Sequence, residues 1–207
     1  MLKSTLTTLA LLTTTSMATA DGAPMSFDVA EDLSRFIFAS EPVFEDGVPA
    51  FGNAFVTQGY IYEDGTLDGG AEGTLADGSP AFPKKVIGRW TCDGYFVGAG
   101  ARTTTGAMVI TRQVFEFDNG DILINQGAEL ADIGVDAPRA ITGGTGSFAE
   151  ITGEMTQVLL GMTDGYGVRL SVDIPSNEQA ASDEPYVDET DHIEWDSGFP
   201  VGPLNQG

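Results

Sequence analysis

Apolar and polar residues alternate with a period of two along most of residues 35–174, which predicts β-strands. No segment has the periodicity of an amphipathic helix. Asp-Gly and Asn-Gly pairs, which favour tight turns, separate the apolar segments. The predicted strands cover residues 35–39, 55–62, 86–97 (one strand, or two divided near Asp93), 107–117, 122–130, 148–160 and 166–174. Many short strands at regular spacing predict an all-β sandwich or a closed barrel.

A glycine-rich stretch within residues 139–160 has two incompatible interpretations. Its segment T-G-G-T-G-S-F resembles the dinucleotide-binding loop of short-chain dehydrogenases and nucleotide-sugar epimerases. That loop requires a helix behind it, whose N-terminal amides hold the pyrophosphate. Here the following residues alternate with a period of two, and Ala149 stands where the third glycine is expected. The pattern therefore favours the second interpretation, a tight connection between two strands of a barrel.

The same glycines, G-G-T-G-S-F followed by Gly153, resemble the turn-and-strand signature of the dirigent and allene oxide cyclase barrel superfamily. The similarity covers residues 140–153. Plant dirigent proteins usually carry Ala-Arg-Gly where this chain has Ile-Thr-Gly at 151–153. The resemblance implies a single antiparallel eight-stranded barrel in which Gly143, Gly144 and Gly146 are structural turn residues.

The ends of the chain differ in composition from its centre. Lys3, a short apolar run and an Ala-Thr-Ala sequence at 18–20 predict a signal peptide over residues 1–20, and hence export to the periplasm or the extracellular space. Residues 21–34 are predicted to be a loosely ordered lead-in, and residues 35–175 the barrel. Residues 176–207 contain eight acidic residues and no Lys or Arg, which predicts an acidic tail.

Charge and cysteine usage limit the classes of function. A net charge of −22 argues against nucleic acid and anionic lipid as partners, and no later segment is long enough to span a membrane. The single cysteine, Cys92, cannot form an intramolecular disulfide, and the single histidine, His192, lies in the tail, away from any catalytic thiol. One His and one Cys do not make a usual zinc site. We therefore predict no metal, no cofactor and a small apolar molecule as partner, with self-association left open.

The interior of the barrel is predicted from the Asn119-Gly120 pair. A two-residue hairpin turn there places Phe115 opposite Ile124 and Gln113 opposite Gln126, with Arg112, Asn125 and Glu129 on the outer face. Gln157 and Trp90 have the same inward phase on other strands, and the predicted interior contains no charged side chain. The predicted ligand-binding residues are Gln113, Phe115, Ile124, Gln126, Gln157 and Trp90. The inward amides either orient a ligand or hydrogen-bond one another.

An interior without titratable groups favours steric steering over chemistry. The first functional expectation is a barrel that binds a small apolar molecule and steers its stereochemistry in the manner of dirigent proteins. The alternatives are an isomerase or cyclase of the allene oxide cyclase type, acting on an unstable lipid-like or polyketide-like substrate, and a filled scaffold without a ligand. A titratable residue inside the barrel would favour the enzyme, and catalytic residues are not assigned.

Overall fold

The computed structural model describes residues 25–163 and 167–175. Within these ranges the chain forms nine strands and four short 3-10 helices, and none of the helices is long and apolar enough to cross a membrane. The strands are β1 (Met25–Glu31), β2 (Ile37–Phe38), β3 (Ala54–Glu63), β4 (Val86–Phe96), β5 (Ala107–Phe117), β6 (Ile122–Leu130), β7 (Asp136–Thr145), β8 (Glu154–Met162) and β9 (Val168–Ile174). The predicted signal peptide and acidic tail lie outside the described residues.

The strands form an antiparallel sheet that closes on itself. From β3 to β9, each strand pairs with the next one along the chain. β1 then pairs with β9 on one side and with β3 on the other, which leaves eight strands in a closed barrel. The two-residue strand β2 extends the sheet beside the first part of β3. The predicted all-β eight-stranded barrel is confirmed.

Strand β1 lies in the segment that the sequence assigned to a loose lead-in, so that assignment is wrong for residues 25–31. Its residues Phe27, Val29 and Glu31 are buried inside the barrel. On the other face Ala30 packs in a second apolar cluster beneath the 64–83 loop. Because both faces are covered, the strand lacks the simple apolar-in, polar-out pattern that marks a half-exposed strand.

Strand β7 was not predicted, and the predicted strand 148–160 begins only at Glu154. Pro138 and the glycines make β7 a poor strand by composition, although Pro138 lies on its exposed face. Gly143 and Gly144 belong to the end of β7, and Gly146, with φ 61°, begins a three-residue 3-10 turn. A strand, β8, follows that turn, which supports the barrel interpretation of the glycine stretch over the dinucleotide loop.

The β5–β6 hairpin has a register that differs by one residue from the predicted one. The loop contains three residues rather than two, closed by Phe117 N donating to Asp121 O at 2.9 Å. Gly120 takes the left-handed position of this loop, with φ 90°. Gln113 therefore lies opposite Asn125, and the predicted pairing with Gln126 is wrong. A shift of one residue exchanges the two faces of β6 completely.

The two ends of the barrel differ in their filling. At the end where β5 and β9 finish, here termed the filled end, Phe27 packs edge-on against Phe115 and Phe117, with ring centroids 5.1 and 5.5 Å apart. Other apolar side chains of β6, β8 and β9 complete this core. At the opposite end, where β1 and β4 finish and β9 begins, here termed the cavity end, the side chains line a cavity.

Candidate functional site

A cavity of about 330 Å³ lies at the cavity end of the barrel. Its walls come from the barrel strands and from the loops around residues 46–49 and 101–103. Most of the lining is apolar, and its aromatic and aliphatic members are Phe36, Phe38, Val48, Pro49, Phe55, Trp90, Phe96, Ala101, Met108, Val109, Met162 and Val168. The polar exceptions include three carboxyl groups, the buried Glu31 and Glu129 and the exposed Asp46. An apolar pocket with a few convergent polar groups is typical of a small-molecule site.

Glu31 is the last residue of β1 and continues the inward alternation of that strand. Its side chain is held by two hydrogen bonds: Oε1 accepts from Thr57 Oγ1 at 2.5 Å, and Oε2 accepts from Val168 N at 2.8 Å. Burial raises the pKa of Glu31 to about 7, against an ordinary value of 4.5. The residue is 3% exposed and lines the cavity. A carboxyl group in this state can both donate and accept a proton near neutral pH.

Glu129 borders the cavity from β6 and sits among hydrogen-bond donors. Its Oε1 accepts from Thr111 Oγ1 at 2.5 Å, from Gln113 Nε2 at 3.1 Å and from Cys92 Sγ at 3.7 Å. Arg139 NH1 lies 3.8 Å from the same oxygen. Donors and a nearby cation compensate a buried negative charge, so Glu129 is a structural partner of the polar groups around it as well as part of the wall.

Arg139 projects from β7 into the barrel and is 1% exposed. Burial lowers the pKa of its guanidinium, whereas the adjacent Glu129 favours the charged form. The guanidinium donates to the side chain of Asn125 at 2.8 Å and of Thr111 at 2.8 Å, and to the backbone oxygens of Gly127, Ala128 and Thr111 at 3.2, 3.0 and 3.1 Å. These bonds tie β7 to β5 and β6 behind the cavity.

The inward amides hydrogen-bond one another. Gln113 Nε2 donates to Gln157 Oε1 at 2.9 Å, and Asn125 Nδ2 donates to Gln113 Oε1 at 3.0 Å. Through Gln113 this group continues to Glu129. Gln113 and Gln157 are buried and lie outside the set of cavity-lining residues. Of the two roles that the sequence left open for these glutamines, mutual hydrogen bonding is the one observed.

Trp90 and Cys92 project side by side along β4 into the cavity. The indole Nε1 of Trp90 has no hydrogen-bond partner among the described residues. Burial, followed by the charge of Glu129, raises the pKa of the Cys92 thiol well above its ordinary value. The thiol is therefore a protonated donor to Glu129 rather than a nucleophile near neutral pH.

The six predicted ligand-binding residues have three different locations. Trp90 lines the cavity. Phe115, Gln113 and Gln157 point inward and are buried, but they lie deeper than the cavity. Ile124 and Gln126 are on the outer face of β6, so their predicted inward orientation is wrong. Because side chains on the outer face do not reach the cavity, Ile124 and Gln126 lie outside the candidate site.

The prediction of an uncharged interior is also wrong, because Glu31, Glu129 and Arg139 are all buried inside the barrel. Sequence reasoning missed Glu31 and Arg139 because their strands were not recognised, and it placed Glu129 outside because of the register shift. One signal was available: Phe27, Val29 and Glu31 share one parity, which would have directed Glu31 inward. Among the described residues, no group of three or more His, Cys, Asp or Glu side chains could hold a metal ion.

Comparison with known proteins links the chain to others at the level of structure. No protein-family model and no curated protein sequence matches it. The pterocarpan synthase dirigent protein PsPTS1 is similar with a TM-score of 0.53 and 14% identity, over 73% of this chain and 91% of that one. The pterocarpan synthase dirigent protein GePTS1 is similar with a TM-score of 0.51 and 14% identity, over 73% of this chain and 81% of that one. The chain therefore has the dirigent-like barrel fold.

Proposed function

We propose that this protein binds a small, mainly apolar molecule in the cavity of the barrel and steers its conformation. The observation that carries the proposal is the cavity of about 330 Å³ with aromatic and aliphatic walls. Its volume is within the range of small-ligand pockets. Rigid walls that hold a reactive molecule in one folded form direct its stereochemistry through orientation alone.

Isomerase or cyclase chemistry is the second candidate, and Glu31 is the specific observation that favours it. The carboxyl group borders the cavity, and its pKa of about 7 suits a group that gives and takes protons near neutral pH. The buried Cys92 thiol is a poor alternative, because burial raises its pKa. An unstable lipid-like or polyketide-like molecule remains the proposed substrate class. In this scheme Glu31 moves a proton and the aromatic walls hold the carbon skeleton.

The proposed setting is outside the cytoplasm. The apolar run and the Ala-Thr-Ala sequence at residues 18–20 support removal of a leader peptide. A net charge of −22 favours solubility of an exported protein.

Binding is tested with the uncharged fluorescent probe N-phenylnaphthylamine and the chain from residue 21 onward. We expect saturable uptake by the wild-type protein. Ala101→Phe, at the cavity wall, should abolish uptake by filling the space. Ala140→Phe, on the exposed face of β7, is the matched control and should leave uptake unchanged. Absence of uptake by the wild-type protein, or equal loss in both variants, would contradict the proposal.

Proton transfer is tested separately, by deuterium exchange into a bound ketone. A naphthyl methyl ketone is incubated with the protein in heavy water near neutral pH, and its gain in mass is followed. If Glu31 acts as a base, the methyl protons exchange faster with wild-type protein than without it, and Glu31→Gln removes the acceleration. Exchange that is equally fast with Glu31→Gln would eliminate Glu31 as the base and leave steering as the proposed function.

A further inference from the structure

One carboxylate oxygen in the cavity wall is left without a hydrogen-bond donor. Glu129 is 5% exposed and lines the cavity. Its Oε1 accepts every hydrogen bond that the described residues donate to this side chain, from donors on β4 and β5, and Oε2 accepts none. Among the described residues, the fully enclosed side-chain atoms without a partner are Trp90 Nε1 and Arg169 Nε. Glu129 Oε2 is not one of them, so it keeps accessible surface, and the open space beside this inward side chain is the cavity.

The other polar side chains of the wall have partners within the protein. Both oxygens of Glu31 accept hydrogen bonds, at 2.5 and 2.8 Å. The Thr103 hydroxyl donates to a backbone oxygen at 2.8 Å, and at the surface Asp46 pairs with Arg102 at 2.7 Å. Glu129 Oε2 is therefore the acceptor that remains inside the cavity for a bound molecule. Because an ionised carboxylate only accepts, the matching ligand is one that donates.

Glu31 and Glu129 lie near each other in this wall. Glu31 accepts a hydrogen bond from Thr57 on β3. Glu129 accepts one from Cys92 on β4, and Cys92 is the residue directly opposite Thr57 in the sheet. Side chains opposite each other on antiparallel strands are neighbours. The two carboxyl groups are therefore bound to adjacent points of the barrel wall.

The wall of the cavity carries negative charge without a positive counterpart. Glu31, Glu129 and Asp46 are acidic, and no Lys, Arg or His is among the described residues that line the cavity. Arg139 approaches Glu129 Oε1 at 3.8 Å, but it does so from behind the wall and does not line the cavity. A cation in the cavity would be attracted by both buried carboxyl groups in a site with little water, whereas an anion would be repelled.

Aromatic rings form a continuous row in the same cavity. The ring centroids of Phe36 and Phe55 lie 5.5 Å apart, and those of Phe55 and Phe96 lie 5.1 Å apart. Phe38 extends the row at 5.9 Å from Phe36. All four side chains line the cavity. The face of an aromatic ring attracts a cation, and the same rings cover the apolar part of a ligand, so this row suits an organic ammonium ion.

We propose that the molecule bound in the cavity is a hydrophobic organic amine in its ammonium form, whose N–H group donates to Glu129 Oε2 while the aromatic row holds its apolar body. This inference rests on the proposed function, which places a small, mainly apolar molecule in the cavity. It adds a chemical class to that molecule and assigns Glu129 as the residue that selects it.

The first test compares two molecules of almost the same shape, naphthylmethylamine and naphthylmethanol. Both carry a donor, but only the amine is a cation at neutral pH. Calorimetry should show that wild-type protein binds the amine about tenfold more tightly, because hydrogen bonds between charged groups are stronger than those of neutral donors. Glu129→Gln keeps the size of the side chain and removes its charge, so it should abolish most of this preference. Met162→Ala, at another wall position, is the control and should weaken both molecules while preserving their ratio.

A second measurement uses the unaltered chain, so it stands even if Glu129→Gln fails to fold. Burial raises the pKa of Glu31 to about 7, the hydrogen bonds from Thr57 and Val168 lower it, and the charges of Glu129 and Asp32 raise it. Glu31 therefore holds a proton in a large fraction of molecules at neutral pH. An ammonium ion beside it should displace that proton, whereas the alcohol should not. Calorimetry in two buffers of different ionisation enthalpy measures this release, and Glu31→Gln should eliminate it.

Three results would contradict this inference. If the amine binds no more tightly than the alcohol, the cavity does not select a cation. If proton release persists in Glu31→Gln, the amine itself loses the proton and binds uncharged. Either result overturns this inference while the proposed function stands, because a neutral molecule still binds. If neither molecule binds, the proposed function and this inference both fail.

Discussion

The Glu31 carboxyl group and the Thr57 hydroxyl are joined across β1 and β3 by a hydrogen bond of 2.5 Å. Both side chains are almost completely buried, and both line the cavity. The hydroxyl donates to the carboxylate, which lowers the pKa of Glu31, but burial has the larger effect and raises it. The protonation state of Glu31, which lines the cavity, therefore depends on the balance between its burial and its hydrogen bond from Thr57.

Glu31 should make the protein less stable as the pH rises. Its pKa is about 7 in the folded chain, against an ordinary value of 4.5, so the folded state binds the proton more tightly than the unfolded state. The stabilisation is fully present below pH 4.5 and is lost as the pH rises through about 7. The linked loss is about 3 kcal/mol. Denaturant unfolding across this range should show that loss in wild-type protein.

The matched variant for this prediction is Glu31→Gln, which cannot titrate. The difference in unfolding free energy between wild type and Glu31→Gln isolates the contribution of Glu31 from those of other carboxyl groups, such as Asp28, whose pKa is also raised by burial. A difference that is independent of pH would show that Glu31 does not titrate in this range.

Thr57→Val should raise the pKa of Glu31 further. The substitution keeps the shape of the side chain but removes the donor that favours the charged carboxylate. Infrared titration of the carboxyl band, with Glu31→Gln to identify it, measures the change. Thr91→Val, on β4, is the control, because the Thr91 hydroxyl accepts from the exposed Gln58. An unchanged or lowered pKa in Thr57→Val would contradict the role assigned to the hydroxyl.

Arg139→Met should strongly destabilise the barrel. The change removes hydrogen bonds to two neighbouring strands, β5 and β6, and leaves Glu129 buried without its cation. Loss of one partner from a buried ion pair costs about 3–5 kcal/mol, measurable by denaturant unfolding. The control is Arg112→Met, because Arg112 pairs with Asp93 at 2.7 Å on the exposed surface and should change stability by less than about 1 kcal/mol. Similar losses in the two variants would refute the importance assigned to burial.

Gly144→Ala should destabilise the connection between β7 and β8. A Cβ atom at Gly144 would lie 2.5 Å from Phe148 Cβ and 2.7 Å from Ile122 O, so the backbone would have to move. Such overpacking costs about 1–3 kcal/mol in thermal or denaturant unfolding. At Gly127, on the adjacent strand, a Cβ would meet its nearest atoms at an ordinary 3.5 Å. Gly127→Ala is therefore the control, and equal losses at both positions would contradict the steric argument.

The period-two pattern was sufficient to predict an all-β fold, because a strand with one covered face records that burial directly in its alternation. Strand β8 illustrates this, since Gln157 was placed inward and is buried. The resemblance carried by the glycine stretch selected the barrel over the sandwich. The glycine stretch likewise indicated a close inter-strand connection, because such an approach excludes a Cβ atom at Gly144. Trp90 was also oriented correctly by its phase on β4.

Only the tertiary structure determined the chemistry of the interior. One residue in the length of the 118–120 loop decides whether Gln126 or Asn125 points inward, and local sequence does not specify loop length to that accuracy. Glu31 and Arg139 are charged residues that sequence alone places on a surface, because burial of a charge is favourable only when distant partners are present. Those partners, Val168 for Glu31 and Thr111 for Arg139, lie 137 and 28 residues away along the chain. Barrel closure brings them together, and it also creates the cavity that Glu31 borders.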